Sequence, residues 1–589
     1  MKKLLFALFA MAVVIGCSKD DNVTSPQEAN GQASFLSVNF KAAGSITKAD
    51  PGSFEYGSTD ENAVNSITFY FFDANGNKYA VQGMDNFMTG NLSDNDWTTS
   101  KDDPAVPVEK LSGMILVIKQ VQDKQIPSQM VAVLNAPADL QKSMSLAELE
   151  AAVLDELTVA ADNSNFFIMS NSVYVDEQAQ ARISTTKITE DNLFKSNIAE
   201  GEPGYNKPGT ILPEGSVPAE VKPVDIYVER VAAKVKVQFS GINDQNDFIE
   251  VKGEDGKPLT LPKAGSDEEV AAYIKVLGWD LTNTTVECNL LKQIKTSYNK
   301  NVLGFSPWNN PSFFRSYWAE TQAEPFHTLT FTDLIDQDKG GANKEKGYSY
   351  YFENTMQPAT ETNGVNVQVN DKGDVEYIKS AEDANKASQL VVAAQLVDQS
   401  GNALPFGRWY GKNYLVDDLK AAMVATVDHR LFILESTDEQ GNKKFRPIEV
   451  GDVSFQQMSV TESKGRYKVY MTAYDNITYY DATGTEITVT DPANPASAAY
   501  ILEHVDPAQI WADGHTYYYA TIKHFGDAIG LVRNHCYVLT IDSVTGFGTP
   551  VFNDGFVITP EKPEDSEATN LSATINILSW HLVEQNINL

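Results

Sequence analysis

The sequence has little with which to build a disulfide scaffold, grip a polyanion or cross a membrane. Three cysteines in 589 residues exclude a fold held together by disulfides. Basic residues are outnumbered, 46 Lys and Arg against 79 Asp and Glu, for a formal net charge of −33. Phosphate binding needs clustered Lys and Arg to release counterions, so a nucleic-acid partner is excluded. An anionic membrane surface fits such a chain equally poorly. The one long apolar run, Leu4–Ile15, falls short of the roughly 20 residues of a transmembrane helix. What is present is apolar surface: hydrophobic residues make up 42% and aromatics 10%, too much for a wholly disordered chain. The length predicts two to four domains with real cores.

The beginning of the chain reads as an export signal. Lys2 and Lys3 precede the apolar run, which ends Val14-Ile15-Gly16-Cys17. That ending resembles the bacterial lipobox, which implies removal of residues 1–16 and acylation (palmitate) of Cys17 as the new N-terminus. Ser18-Lys19-Asp20-Asp21 is similar to the acidic tag that sends lipoproteins of Bacteroidia to the cell surface.

Beyond a polar tether at 18–32, β signals dominate. Leu36, Val38 and Phe40 alternate with polar neighbours, a short half-buried strand. Ile67–Phe72 runs into Asp73-Ala-Asn75-Gly76, a strand entering a hairpin in which Asn-Gly supplies the positive φ angles. Met114–Ile118 and Met130–Leu134 are further strands. Ser145 and Glu148 form a capping box that opens a helix over Leu146–Leu157, and other helices are expected near Ser266–Val276 and Val416–Val424. After the Pro- and Gly-rich stretch 199–223, Tyr227–Phe239 alternates as one long strand. Its apolar face is Val231 to Phe239 at odd positions, and Arg230, Lys234, Lys236 and Gln238 take the other. Residues 285–350 are a candidate for large loops or a third unit.

Catalytic and metal signatures are weak. His504, His515, His524 and His535 are spaced by about ten, whereas metal ligands sit roughly two to five residues apart. His535 and Cys536 are adjacent in a strand-like segment, hence on opposite faces, and a buried structural Cys536 is favoured over a nucleophile. Asp336-Gln-Asp338-Lys-Gly340-Gly341 resembles the opening of an EF-hand, but Gly340 and Gly347 stand where ligands belong, and an ordinary turn is favoured. Trp308, Trp318 and Tyr517–Tyr519 could form a glycan platform, although core packing is the commoner use of such aromatics. No cofactor, no metal and no catalytic residue is expected.

The two ends are more informative. Leu571, Ala573, Ile575 and Ile577 alternate with Ser572, Thr574 and Asn576, and Trp580 and Leu582 continue on the other parity. No charge appears before Glu584. An exposed apolar strand is an aggregation hazard, so it either pairs in its own sheet or adds to another subunit. At the other end, Leu36–Phe40 is followed by a loop containing Lys48-Ala49, where a protease could release the strand.

These features, with Val228-Glu-Arg-Val-Ala-Ala-Lys-Val235, Gly530-Leu-Val-Arg-Asn-His-Cys-Tyr537, Ile541–Pro550 and Ile577–Ile587, resemble the type V pilin (fimbrillin) family of Bacteroidia, specifically its major-fimbrial-subunit branch. The resemblance implies an all-β fold of two tandem transthyretin-like β-sandwich domains with a few short helices and long loops. Residues 1–16 would be the signal peptide and 17–48 the tether and removable strand. Residues 49–225 and 226–570 would be the N- and C-terminal sandwiches, the second with insertions, and 571–589 the donor strand. It further implies surface lipoproteins at the outer membrane, cut by a surface protease. They polymerise into an extracellular adhesive fimbria when a neighbour's C-terminal strand enters the vacated groove. Partners would be further copies of the chain and the anchor and tip subunits. The family's best-known members are cut after Arg, but no Arg precedes Arg182 here, which leaves Lys48, or a non-cleaved anchor or tip role. A surface glycan-binding lipoprotein is the rival reading.

Overall fold

The computed structural model describes residues 33–42, 570–578 and 584–587 and most of 57–558. The longer stretches outside the described residues are 1–32, 43–56, 92–96, 101–107, 120–125, 177–181, 295–312, 316–320, 322–325, 356–366, 370–374, 378–387, 459–467, 523–529, 559–569 and 579–583. Residues 588–589 and breaks of one to four residues elsewhere complete them. The architecture is mainly β, as the alternation predicts, with few short helices.

The N-terminal sheet is built from β1 (Ala33–Ala42), β2 (Ser66–Phe72), β3 (Phe87–Asn91), β4 (Val108–Lys119), β5 (Gln129–Leu134), β6 (Met169–Asn171), β7 (Ile211–Pro213) and β8 (Val224–Arg230). Their order across the sheet is β7-β4-β1-β8-β6-β5-β2-β3. One face carries a core that includes Leu36, Val38, Phe69, Phe71, Leu116, Ile118 and Ile226.

The second assembly begins one residue after the first ends. β9 (Ala232–Phe239) continues the line of β8 past Val231 but joins a different sheet. Its companions are β10 (Ile249–Lys252), β11 (Tyr273–Thr282), β12 (Tyr348–Phe352), β13 (Gln389–Val397), then β14 (Phe406–Trp409), β15 (Lys412–Tyr414), β16 (Val453–Gln457), β17 (Lys468–Ala473) and β18 (Ala508–Trp511), and finally β19 (His515–Thr521), β20 (Cys536–Thr545), β21 (Thr549–Pro550), β22 (Asn570–Leu578) and β23 (Glu584–Ile587). β12-β9-β20-β22-β23 form one layer and β10-β11-β13-β19-β21 the other, and β10 pairs with both β20 and β11. Fully buried Trp279, Phe406 and Tyr537 fill the space between them. Between β13 and β19 the chain adds a five-stranded sheet, β15-β14-β18-β17-β16, with its own core around Leu419, Met423 and Val469.

The helical expectations divide. Val416–Val424 is a helix with the expected bounds, burying Leu419 and Met423. The Ser145–Glu148 capping box forms, but its helix stops at Glu150. Val153 and Leu154, inside the expected helix, instead pair with Asn289 and Cys288 in a two-stranded ladder. Ser266–Val276 is not helical: it holds the strand Glu269–Ala271 and the start of β11, because Ile274 and Val276 pair with Leu396 and Ala394 over the core. The hairpin after β2 also differs from expectation. Gly76 has φ +81° but Asn75 is not in the left-handed region. The Asp73 carboxylate accepts the N–H groups of Asn75 (2.8 Å) and Asn77 (2.9 Å), so the aspartate sets the turn and glycine alone takes the positive φ. The same Asp-x-x-Gly device recurs at Asp398–Gly401, Asp438–Gly441 and Asp481–Gly484.

Candidate assembly site

β1 is paired along both edges. On one flank it runs antiparallel to β4, from Ala33 opposite Lys119 to Lys41 opposite Lys110. On the other, Ser34–Leu36 pair with Leu193–Lys195, and Val38–Ala42 run parallel to Val224–Val228 of β8. Of the expected strand residues, Leu36 and Val38 are fully buried, and Phe40 stands opposite Leu111 on one side and Ile226 on the other. Ser37, facing the other way, is buried too. An interior strand of this kind leaves two rows of unmet backbone groups and an apolar trough if it is withdrawn.

The C-terminal strand takes a different position. In β22, Leu571, Ala573, Ile575 and Ile577 stand opposite Val544, Ile541, Leu539 and Tyr537 of β20. The outer edge of β22 is met by β23, so the two form a hairpin at the rim of the layer. In this chain, therefore, the strand pairs within its own sheet. Trp580 and Leu582, like Cys17, Lys48 and Ala49, lie outside the described residues.

The sequence blocks that carried the resemblance meet in one place. β9 runs parallel to β20, with Lys234 opposite Cys536, and the N–H of Asn534 donates to the Ala232 carbonyl at 2.7 Å. Arg230 and Lys234, on the face opposite the apolar one, are also buried. The Lys234 ammonium is 2.6 Å from the Glu61 carboxylate, which also accepts the Tyr350 hydroxyl at 2.5 Å and the Ser58 N–H at 2.6 Å. Arg230 donates from Nε to the Glu61 carbonyl at 2.8 Å and from Nη1 to the Asn534 side chain at 3.3 Å. Beside them lie two further ion pairs, Lys292–Glu229 at 2.8 Å with both side chains 0% exposed, and Arg533–Glu353. Arg533 also donates to the carbonyls of Leu290 (3.0 Å) and Asn289 (2.6 Å). The result is a charged seam that ties the N-terminal sheet to the second assembly. Periodicity locates the apolar face of β9 but gives no sign of what covers the polar one. A usable signal was the placing of charges inside apolar runs, as in Val228-Glu-Arg-Val and Leu290-Leu-Lys.

The seam has a pH signature. Burial opposes ionisation of Glu61, but hydrogen bonds from Lys234, Tyr350 and the Ser58 N–H outweigh it and hold the carboxyl below its ordinary value. A depressed folded-state value means that the stability it contributes is present above the ordinary carboxylate pKa and is lost as pH falls through the folded value. Urea midpoints of the wild type and Glu61→Gln should therefore differ most at neutral pH and converge below about pH 4. A constant gap across that range would show that Glu61 does not titrate with folding.

The chemically suggestive residues are structural. Cys288 and Cys536 are both buried, and burial pushes the Cys288 thiol up to about 12, far from thiolate reactivity. The His535 ring is 2.8 Å from the Arg533 carbonyl. Tyr517 and Tyr518 are buried and form no exposed platform, and Trp308 and Trp318 lie outside the described residues. Asp336 closes a turn between the short helices Phe331–Ile335 and Gly340–Lys346, accepting the Asp338 N–H at 2.8 Å. Among the described residues no group of three or more His, Cys, Asp or Glu is arranged to hold a metal, and no helix is long and apolar enough to cross a membrane.

Residues 509–586 match the family described as major fimbrial subunit protein type IV, fimbrillin, C-terminal. No curated protein sequence matches the chain. Among solved structures, it is similar to a fimbrilin from Porphyromonas gingivalis W83, at 13% identity over 95% of this chain and 99% of that one, with a TM-score of 0.32. A tip fimbrial protein from Porphyromonas gingivalis, truncated at its C-terminus, matches at 11% identity over 92% and 98%, with a TM-score of 0.26. A fimbrial assembly protein from Parabacteroides distasonis ATCC 8503 matches at 10% identity over 76% and 99%, also with a TM-score of 0.26. The matched segment runs from β18 through β20 to β23 and includes the Gly530–Tyr537 and Ile541–Pro550 blocks on which the resemblance rests.

Proposed function

We propose that the chain is a structural subunit of a cell-surface fimbria. It is exported as a lipoprotein through Cys17, cut between Lys48 and Ala49 by a surface protease, and polymerised when the C-terminal strand of one copy enters the slot left by β1 of another. The outer-membrane precursor becomes part of an extracellular fimbrium, whose further partners are anchor and tip subunits. The folding units would be 49–225 and 226–570, with 571–589 as the donor.

The observation that carries this reading is the position of β1. It is an interior strand with both edges paired and Leu36 and Val38 fully buried, and the sequence after it, residues 43–56, holds the Lys48-Ala49 bond. The match of residues 509–586 to the fimbrillin family supports a pilus-subunit role. Withdrawn from its layer, β22 gives up its ladders to β20 and β23; in the slot of β1 it would again have a ladder on each side, so the exchange leaves neither of its edges unpaired. Residues 570–578 carry no charge, which suits entry into an apolar trough.

Limited trypsin treatment of the purified precursor, cutting after Lys48, should yield a ladder of oligomers that resists SDS without heating. The same treatment of a chain lacking Leu571–Leu589 should yield cut monomers only. A full-length chain that is cut at Lys48 and stays monomeric would rule the mechanism out.

A further inference from the structure

The five-stranded sheet and the sandwich beside it enclose a cleft of about 910 Å³, within the roughly 300–1,000 Å³ of ordinary ligand pockets. It lies apart from β1 and β22, and the polymerisation mechanism makes no use of it. One wall is the hairpin between β14 and β15, the other the segments around Thr260, Glu269 and Phe547. Buried Trp409 and Trp511 stand behind its walls, and Tyr410 supplies the exposed aromatic surface.

Tyr410 is the unusual residue. It is 74% exposed, and with Gly411 it makes the two-residue turn between paired Trp409 and Lys412. Both turn residues are left-handed, φ +47° at Tyr410 and +75° at Gly411. Turns of this type favour Asn, Asp or Gly at the first position, and a bulky side chain there is strained. Strain of that kind persists where the position serves a purpose. The tyrosine is also fixed in place: its hydroxyl donates to the Asp506 carboxylate, its ring lies 4.6 Å from that of Trp409, and the Trp409 indole N–H donates to the Asp506 carbonyl at 2.9 Å. Asn413 also lines the cleft, and its buried Oδ1 has no hydrogen-bond donor among the described residues. Such an acceptor is costly to leave unmet.

We infer that this cleft binds a neutral oligosaccharide. Sugar rings present a C–H face to the negative face of an aromatic ring and a rim of hydroxyls that both donate and accept. Tyr410 offers the platform, backed by the buried Trp409 ring. Glu254, Glu269 and Asp506 accept hydroxyl protons, and Arg408 and Lys468 donate. Three carboxylates against two cations, on a chain of net charge −33, disfavour an anionic ligand.

The test is titration calorimetry of the full-length chain with hexasaccharides of α-1,4-glucose, β-1,4-glucose, β-1,4-xylose and β-1,4-N-acetylglucosamine, with hexagalacturonate as the acidic comparison. At least one neutral hexasaccharide should bind, and Tyr410→Gly should weaken it roughly tenfold. Glycine tolerates the left-handed turn, so that variant should keep or raise the melting temperature, which separates lost binding from lost folding. Asp506→Asn should weaken binding with the fold intact. No heat from any neutral hexasaccharide, binding of hexagalacturonate alone, or unchanged affinity in Tyr410→Gly would each overturn the inference.

Discussion

A chain carrying Ser37→Cys and Ile115→Cys should remain monomeric after cleavage at Lys48 while oxidised, and polymerise once a reductant is added. Ser37 on β1 and Ile115 on β4 are register partners and both are buried. Antiparallel partners have Cα atoms about 4.5–5.5 Å apart, inside the span a disulfide bridges. The bond would hold β1 in its slot without touching the C-terminal strand or the cleavage site. The expected change is all or none, from a ladder to a single band on unheated gels, and it reverses on reduction. Because the reduced variant is its own control, a folding defect cannot imitate the result. Ladders from the oxidised, cut chain would show that β1 need not leave, and donor entry at that slot would fall.

The second large effect concerns the seam. Lys292→Met should cost about 3–5 kcal/mol, because Glu229 keeps its charge in a site where neither side chain of the pair touches water. Adding Glu229→Leu should recover most of that loss, since an apolar pair of similar volume often replaces a buried ion pair at little cost. The measurement is urea denaturation of the full chain with all four members of the cycle, whose coupling energy should be large for groups in contact. A Lys292→Met midpoint equal to that of the wild type would show that the pair contributes nothing. The site matters because Lys292 follows Leu290 and Leu291, which pack on the outer face of the N-terminal sheet against Tyr70 and Val131. A segment that follows β11 of the second assembly thus covers the N-terminal sheet.

Legibility in the sequence followed the range of the interactions. The strands read at 36–40, from alternation, and at 67–72, 114–118 and 130–134, from short apolar runs, are set locally and lie within longer observed strands. So was the helix at 416–424, whose stripe of Leu419 and Met423 meets a core directly beside it. The helix at 146 began where its capping box predicted but ended after five residues, because Leu154 found Cys288, a partner far along the chain that no local pattern reveals. Likewise the Arg230 and Lys234 face was legible as polar, but its burial depends on Glu61 and Asn534, which only the fold brings there. For the assembly site, the apolar, uncharged ends could be read directly. Which of them is interior and which lies at a sheet rim required the register. Tyr410 left one sequence trace, an aromatic residue before glycine in a two-residue hairpin where Asn or Asp is usual.

The passage of the chain through Val231 has a mechanical consequence. β8 and β9 lie on either side of that residue, each paired in parallel with a strand of its own sheet, β1 for the first and β20 for the second. In a fibre assembled as proposed, the donor replaces β1 beside β8, while β20 is the strand from which this subunit's own donor departs. Tension applied between neighbouring subunits would then run from the β8 ladder into the β9 ladder through a covalent segment of about sixteen residues, with no loop between the two. Strands pulled along their length load all their hydrogen bonds together rather than one after another. The short link at Val231 would make each subunit a stiff element in series, leaving extension under flow to the joints and to the loops outside the two ladders.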